Sequence, residues 1–218
     1  LVYAEDMFQD SGLSAAALHR ARGPWRGMRT EVIGGQLLDI SLEAAGSESV
    51  ELANSVNRYK TAAYTIERPL HLGAAIAGAG EELIAAFRGY GHDIGIAYQL
   101  RDDQLGVFGD PAVTGKPAGD DLREGKRTEL LALALQRADE SDPHAAATLR
   151  KLIGHTSDPQ ELSRLAQIIA DSGAPEEIER RIDALTRSGL QHLHAAQVDP
   201  AVTEALEQLA IKATARRK

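Results

Sequence analysis

Apolar residues recur at helical intervals along most of the chain, and several runs carry a clear start signal. Asp142-Pro143, Asp158-Pro159 and Asp199-Pro200 each place a capping acid before a proline at the first helical position. The second of these also has Glu161 at the capping-box position. Behind the caps, Leu162, Leu165, Ile168 and Ile169 share one helix face, and Ile178, Ile182, Leu185 and Leu193 share another. Gly173-Ala174-Pro175 separates the two runs. β-branched residues are scattered and period-two alternation is absent, so no strand is expected. The pattern predicts an all-α protein, a single bundle-like domain over residues 1–218, without internal repeats. The segment from Gly109 to Gly125, rich in Gly, Pro and Asp, breaks the periodicity and reads as one long polar connection. Connections of that length are usually functional or disordered. At the other end, Leu1-Val2-Tyr3-Ala4 reads as the middle of an uncapped helix, which predicts a fragment of a longer protein.

Composition narrows the function classes. With 218 residues and 43% apolar content, the chain is long enough for a sizeable core. A net charge of -8 argues against a general nucleic-acid binder. The absence of cysteine excludes disulfides and thiolate metal sites. No apolar run reaches membrane-spanning length and no leader is visible, so stable membrane insertion is not expected. The seven histidines show no metal spacing: His192 and His194 diverge on a helix, and they and His71 read as surface residues.

The candidate chemistry lies at Tyr98-Gln99-Leu100-Arg101-Asp102-Asp103. Burying one uncompensated carboxylate is costly, and two side by side are worse. Gln99 lies three and four residues before Asp102 and Asp103, so all three can face one side of a helix. Lys116 and Lys126 follow, but so do Asp110, Asp120, Asp121 and Glu124. An acid-rich cluster short of bases asks for a divalent cation, and oxygen-only ligands favour Mg²⁺ shared with a phosphate. The alternative reading is a solvated helix end. Lys60-Thr61-x-x-Tyr64 offers a phosphate-binding ammonium beside a hydroxyl, or else an ordinary surface lysine. Gly35-Gln36-x-x-Asp39 puts an amide and a carboxylate on one face, a binding pair or a structural one. The Gly109–Gly125 loop fails as a P-loop: five residues separate Gly109 from Gly115, Pro117 stands where Ser or Thr belongs, and no strand precedes it. Its lysines bracketing Asp120 and Asp121 suit a diphosphate with Mg²⁺ instead. The basic tail Arg216-Arg217-Lys218 reads as a solvated end or as a cover for an anion.

In chain order, Gly35-Gln36-x-x-Asp39, Lys60-Thr61-x-x-Tyr64, Tyr98-Gln99-x-x-Asp102-Asp103 and Gly109-Asp110-x-x-x-Thr114-Gly115-Lys116 leading into Asp121 and Lys126 resemble the trans-type polyprenyl diphosphate synthases, in particular actinobacterial farnesyl and geranylgeranyl diphosphate synthases. The resemblance is to the C-terminal part of such a synthase and is clearest from Leu1 to about Leu135. It implies an isoprenoid-synthase helical bundle lacking its N-terminal helices, normally a cytoplasmic homodimer. It also implies head-to-tail condensation of an allylic diphosphate with isopentenyl diphosphate, releasing pyrophosphate. By the same resemblance, Lys60, Thr61, Gln99, Lys116 and Lys126 bind the allylic diphosphate, while Asp102, Asp103 and Asp121 hold Mg²⁺. Asp102, Asp103 and Lys60 are the implied catalytic residues. Two departures stand out. Gly106 occupies a position where the family usually has a third Asp, and the family's first aspartate-rich motif and isopentenyl diphosphate site lie upstream of this sequence. The chain alone is therefore expected to be inactive and its parent active. Rival readings are a class I terpene cyclase, a non-catalytic subunit of a heteromeric prenyl synthase, and a helical interaction module. Asn54-Ser55-Val56-Asn57 lacks the cyclase metal spacing, and the retained Asp102-Asp103 argues against the non-catalytic subunit.

Overall fold

A long helix running through the middle of the molecule, α5 (Glu81–Phe108), organises everything around it. The structure, a computed structural model, describes residues 1–115 and 117–215. The short α1 (Val2–Gln9) and the long α2 (Ala15–Ala45) lead through α3 (Val50–Val56) into an eleven-residue π-helix, π1 (Asn57–Glu67), and then α4 (Arg68–Ala77). After α5 come the short α6 (Pro111–Thr114) and α7 (Asp120–Glu124). The array α8 (Glu129–Ser141), α9 (Pro143–Leu152), α10 (Pro159–Asp171), α11 (Ala174–Ala195) and α12 (Pro200–Thr214) follows. No strand occurs among the described residues. The segment after Gly109 differs from the single polar connection that composition suggests. Asp110 caps α6 through Ala112 N–H at 2.8 Å, and Gly119 starts α7.

The three Asp-Pro starts behave as the sequence predicts: Asp142, Asp158 and Asp199 each accept backbone N–H groups at the first turn of α9, α10 and α12. The capping box at Asp158 closes in a different way. Thr156 Oγ1 accepts from Asp158 N–H at 3.1 Å and donates to Glu161, so a hydroxyl relays the return bond. The larger core joins α5 to α8–α11 through fully buried Leu130, Leu135, Leu149, Leu165, Ile169 and Ile178. Each such side chain contributes roughly 1.5–3 kcal/mol of burial. A smaller core of Tyr90, Ile94, Leu193 and Ala210 ties α12 to α5 and α11. Tyr90 donates to Leu206 C=O at 2.7 Å, and burial pushes its phenol up to about 12.

The middle of π1 is clasped by glycines from both neighbours. A Cβ on Gly35 of α2 would lie 2.4 Å from Lys60 N, and one on Gly95 of α5 would lie 2.6 Å from Ala62 Cα. Helix backbones approach this closely only where the side chain is absent. The wider ladder of π1 is visible at its end, where Arg68 N–H reaches back to Ala63 C=O. The C-terminal end of π1 is tied by charge to both neighbours: Glu67 is buried against Arg88 of α5, and Arg68 makes a fork with Glu31 of α2. His71 sits half-buried against Arg68 at 3.1 Å, so it is not the surface residue its spacing suggests, and burial, with Arg68, lowers its pKa.

Candidate active site

The clasp turns one side of π1 toward α5 and the start of α8, and a cleft of about 230 Å³ opens between them. Asn57, Lys60 and Thr61, at i, i+3 and i+4, line it from π1. Gln99, Asp102 and Asp103 line it from α5 at the same spacing, and Asp39 enters from α2. Gly35-Gln36-x-x-Asp39 thus splits into two duties. Gly35 seats the π-helix and Asp39 pairs with the Lys60 ammonium, whereas Gln36 is exposed and does not line the cleft.

Asp102 and Asp103 are unlike neighbours. Asp102 is partly exposed at the cleft, whereas Asp103 is 4% exposed. Gln99 Nε2 donates to Asp103 Oδ1 at 2.7 Å, and Asp103 Oδ2 is buried without a hydrogen-bond partner. Burial pushes the Asp103 carboxyl well above the usual carboxylate range. The Gln99 hydrogen bond opposes this, and the charges of Asp121, Asp102 and Glu129 add to it. An orphaned acceptor of this kind suits a cation or a donor brought in with a ligand.

The return from α7 supplies the cleft's second lysine. Gly125, at φ +76°, reverses the chain so that Lys126 points back toward α5. Lys126 Nζ donates to Asp121 Oδ1 at 2.5 Å and lies 3.5 Å from Glu124. Burial pulls its pKa down, but Asp121 and then Glu124 outweigh that and raise it. Asp121 itself does not line the cleft. It is buried against Gly106, where an added Cβ would fall 2.0 Å from its Oδ2. The space above Gly106 is therefore filled by the carboxylate of Asp121, reached from a different helix. Lys116, the other expected diphosphate ligand, and the tail 216–218 lie outside the described residues.

Sequence reasoning passed over three polar lining residues: Asn57, Arg127 and Thr128. Arg127 adds a third cationic side chain, and Thr128 caps α8 by accepting from Leu131 N–H at 3.2 Å. Their adjacency to Lys126 was the available signal. Of Asn54-Ser55-Val56-Asn57, Val56 and Asn57 line the cleft, and Asn57 is the polar one. Among the described residues, no group of three or more His, Asp or Glu side chains is arranged to hold a metal by itself. A cation here would need oxygens from water and ligand, the sharing Mg²⁺ favours.

The family model described as Polyprenyl synthetase matches residues 25–171, and that span holds every cleft residue named above. The chain belongs to the polyprenyl synthetase family. By sequence it is 40% identical over 129 residues to a geranylfarnesyl diphosphate synthase of Aeropyrum pernix, covering 58% of this chain and 40% of that one. It is also 40% identical over 113 residues to a geranylgeranyl diphosphate synthase of Mycobacterium tuberculosis, covering 52% and 32%. Among solved structures, it superposes at TM-score 0.97 and 64% identity on a geranylgeranyl pyrophosphate synthase from Corynebacterium glutamicum. That structure is complexed with isoprenyl diphosphate and magnesium, and the match covers 99% of this chain and 60% of that one. A Streptomyces coelicolor polyprenyl synthetase superposes at TM-score 0.86 with 25% identity, covering 97% and 63%. The chain thus spans less than half the length of these two sequence relatives and about three fifths of these two structures. For a polyprenyl synthetase, the all-α architecture is the expected one, and no described helix is long and apolar enough to cross a membrane.

Proposed function

We propose that this chain forms the allylic-diphosphate side of a prenyltransferase that condenses an allylic diphosphate with isopentenyl diphosphate, head to tail, releasing pyrophosphate. The observation that carries this reading is the convergence of Lys60, Thr61, Gln99, Asp102, Asp103 and Lys126 on one cleft from three separate elements. The names of the similar synthases support it.

Cleavage of the allylic carbon–oxygen bond builds negative charge on the departing diphosphate, and catalysis consists of meeting that charge. Lys60 and Lys126 are placed for this before any ligand arrives, because Asp39 and Asp121 hold their ammonium groups. Thr61 adds a hydroxyl donor between them and Gln99 steers Asp103. Asp102 and Asp103 would hold Mg²⁺, for which the buried, unpartnered Asp103 Oδ2 is the fitting group. Bound there, Mg²⁺ supplies positive charge to the leaving group. The allylic cation is attacked by the double bond of the second substrate, and the proton then lost leaves with pyrophosphate, so no protein nucleophile is needed. Lys116 joins the diphosphate ligands in this proposal on its motif alone, and Asp121 acts by fixing Lys126. The same reading makes the protein a cytoplasmic homodimer. Ile33, Leu37 and Ile40 along α2 support an assembled state, since Leu37 alone is 66% exposed.

The test is turnover by the full-length protein, given Mg²⁺, labelled isopentenyl diphosphate and allylic primers of increasing length. One pyrophosphate is expected for each labelled isopentenyl unit incorporated into prenyl diphosphate. Pyrophosphate release without incorporation of label points to a cyclase, and the absence of both overturns the proposal.

A further inference from the structure

Behind the cleft lies a buried polar chain that the proposed reaction has not used. Glu129, the first residue of α8, is 1% exposed. Its Oε1 takes the guanidinium of Arg181 from α11, and its Oε2 is buried without a hydrogen-bond partner. Asn57 is 5% exposed, lines the cleft, and has its Nδ2 likewise buried and unpartnered. Glu129 also shares a hollow of about 280 Å³ on the far side of α3 with Asn54, one turn before Asn57. Thr128, the residue before Glu129, lines the cleft together with Asn57, so an orphan donor and an orphan acceptor lie on neighbouring elements at and behind the cleft. Burial raises the Glu129 pKa, and Arg181 and then the Asn57 amide draw it back down, as a donor turned toward a carboxylate does.

We propose that Asn57 is a ligand-contacting residue of the cleft, that its amide oxygen faces the bound diphosphate complex as an acceptor, and that Glu129, held by Arg181, is the positioning residue that fixes this orientation. An amide's orientation follows its hydrogen-bond network. With the nitrogen turned to Glu129, the oxygen is left for the cleft, where the donors are Lys60, Thr61, Lys126 and Arg127 and water carried in with the ligand. Leaving two buried polar groups unpaired is costly in the free protein. A ligand that draws π1 and α8 together removes that cost, which ties the Glu129–Asn57 contact to binding. The inference rests on the prenyl-transfer reading of the cleft.

The experiment is calorimetric titration of the full-length protein with an allylic thiodiphosphate, which cannot ionise, in the presence of Mg²⁺. Asn57→Leu is expected to weaken binding about tenfold, the scale of a hydrogen bond in a charged network. Glu129→Leu should weaken it severalfold, add nothing in the Asn57→Leu background, and be largely rescued by Glu129→Gln, which keeps an acceptor. If Glu129→Leu does not fold, Arg181→Met is expected to show the same non-additivity, since Arg181 is partly exposed. Additive losses, unchanged affinity in Asn57→Leu, or tighter binding on removal of the Glu129 charge each overturn this inference. A wild-type protein that binds no thiodiphosphate overturns the prenyl-transfer reading instead.

Discussion

The α8–α11 array and the cleft are built by opposite rules. In the array, large aliphatic side chains meet across helices with starts capped by Thr128, Asp142 and Asp158, and each helix buries at least one Leu or Ile. At the cleft, the residues that set the geometry are small. Gly35, Gly95 and Gly106 give up their side chains so that the Lys60 backbone, Ala62 and the Asp121 carboxylate can move in. Apart from Ala53 and Val56, the groups left facing the opening are charged or polar. The array gains stability from area, whereas the cleft keeps unsatisfied groups, Asp103 Oδ2 and Asn57 Nδ2 among them with Glu129 Oε2 behind it, that only a ligand or a shift can satisfy. Stability and function should therefore separate by region when residues are replaced.

The largest separation is expected at Asp102. Asp102→Ala in the full-length protein should lower kcat by ~100-fold or more, the scale of removing one group that meets transition-state charge. The midpoint of denaturant unfolding should stay within experimental error, because Asp102 is partly exposed and buries little area. Near-normal turnover in this variant would remove Asp102 from the metal site.

Leu165→Ala is the mirror experiment. Leu165 is fully buried between α10 and the main core, so its truncation should cost about 2–5 kcal/mol in urea unfolding. Below the unfolding transition, kcat/KM for the allylic substrate should be unchanged. A matching fall in kcat/KM would mean that the array and the cleft are one cooperative unit, and the comparison would collapse.

Gly35→Ala tests the point where both rules meet. Its new Cβ would strike backbone, which cannot rotate away. A loss of about 1–3 kcal/mol is expected from overpacking, together with reduced affinity for the allylic diphosphate as Lys60 is pushed off station. Stability loss without a change in affinity would show that the π-helix seat is not what places Lys60.

These differences explain what could be read from the sequence. Large apolar residues at helical spacing report helices packed by side chains, so the array and its Asp-Pro starts were legible. Gln99, Asp102 and Asp103 were legible as one face, because regular helix geometry carries i, i+3 and i+4 spacing directly into space. The π-helix was not, since Asn57 to Glu67 has no local signal for a wider ladder and takes it from the glycines on α2 and α5. Gly106 read as a missing acid, but what occupies a vacated position depends on a helix fifteen residues on. Asn57 and Glu129 were invisible because their partnership spans three elements, and nothing in one-dimensional spacing marks a buried orphan.

The smallest expected effect is also the one with opposite sign. Asp103→Asn keeps the shape and the Gln99 contact but removes a buried carboxylate whose pKa the fold raises. A raised carboxyl binds its proton more tightly folded than unfolded. Its contribution to stability is therefore greatest below the unfolded value of 3.8, falls as pH rises toward the folded value, and stays low above it. Without metal at neutral pH, Asp103→Asn should be more stable than wild type by on the order of 1 kcal/mol, the scale of one pKa unit of buried charge removed. The gap should close as pH is lowered through the folded value. Adding Mg²⁺ with an allylic thiodiphosphate should raise the wild-type unfolding temperature more than that of the variant, because only the charged oxygen gains a cation. A variant less stable than wild type at neutral pH, with no such crossover, would show that Asp103 is satisfied in the free protein. The cleft would then follow the same rule as the array.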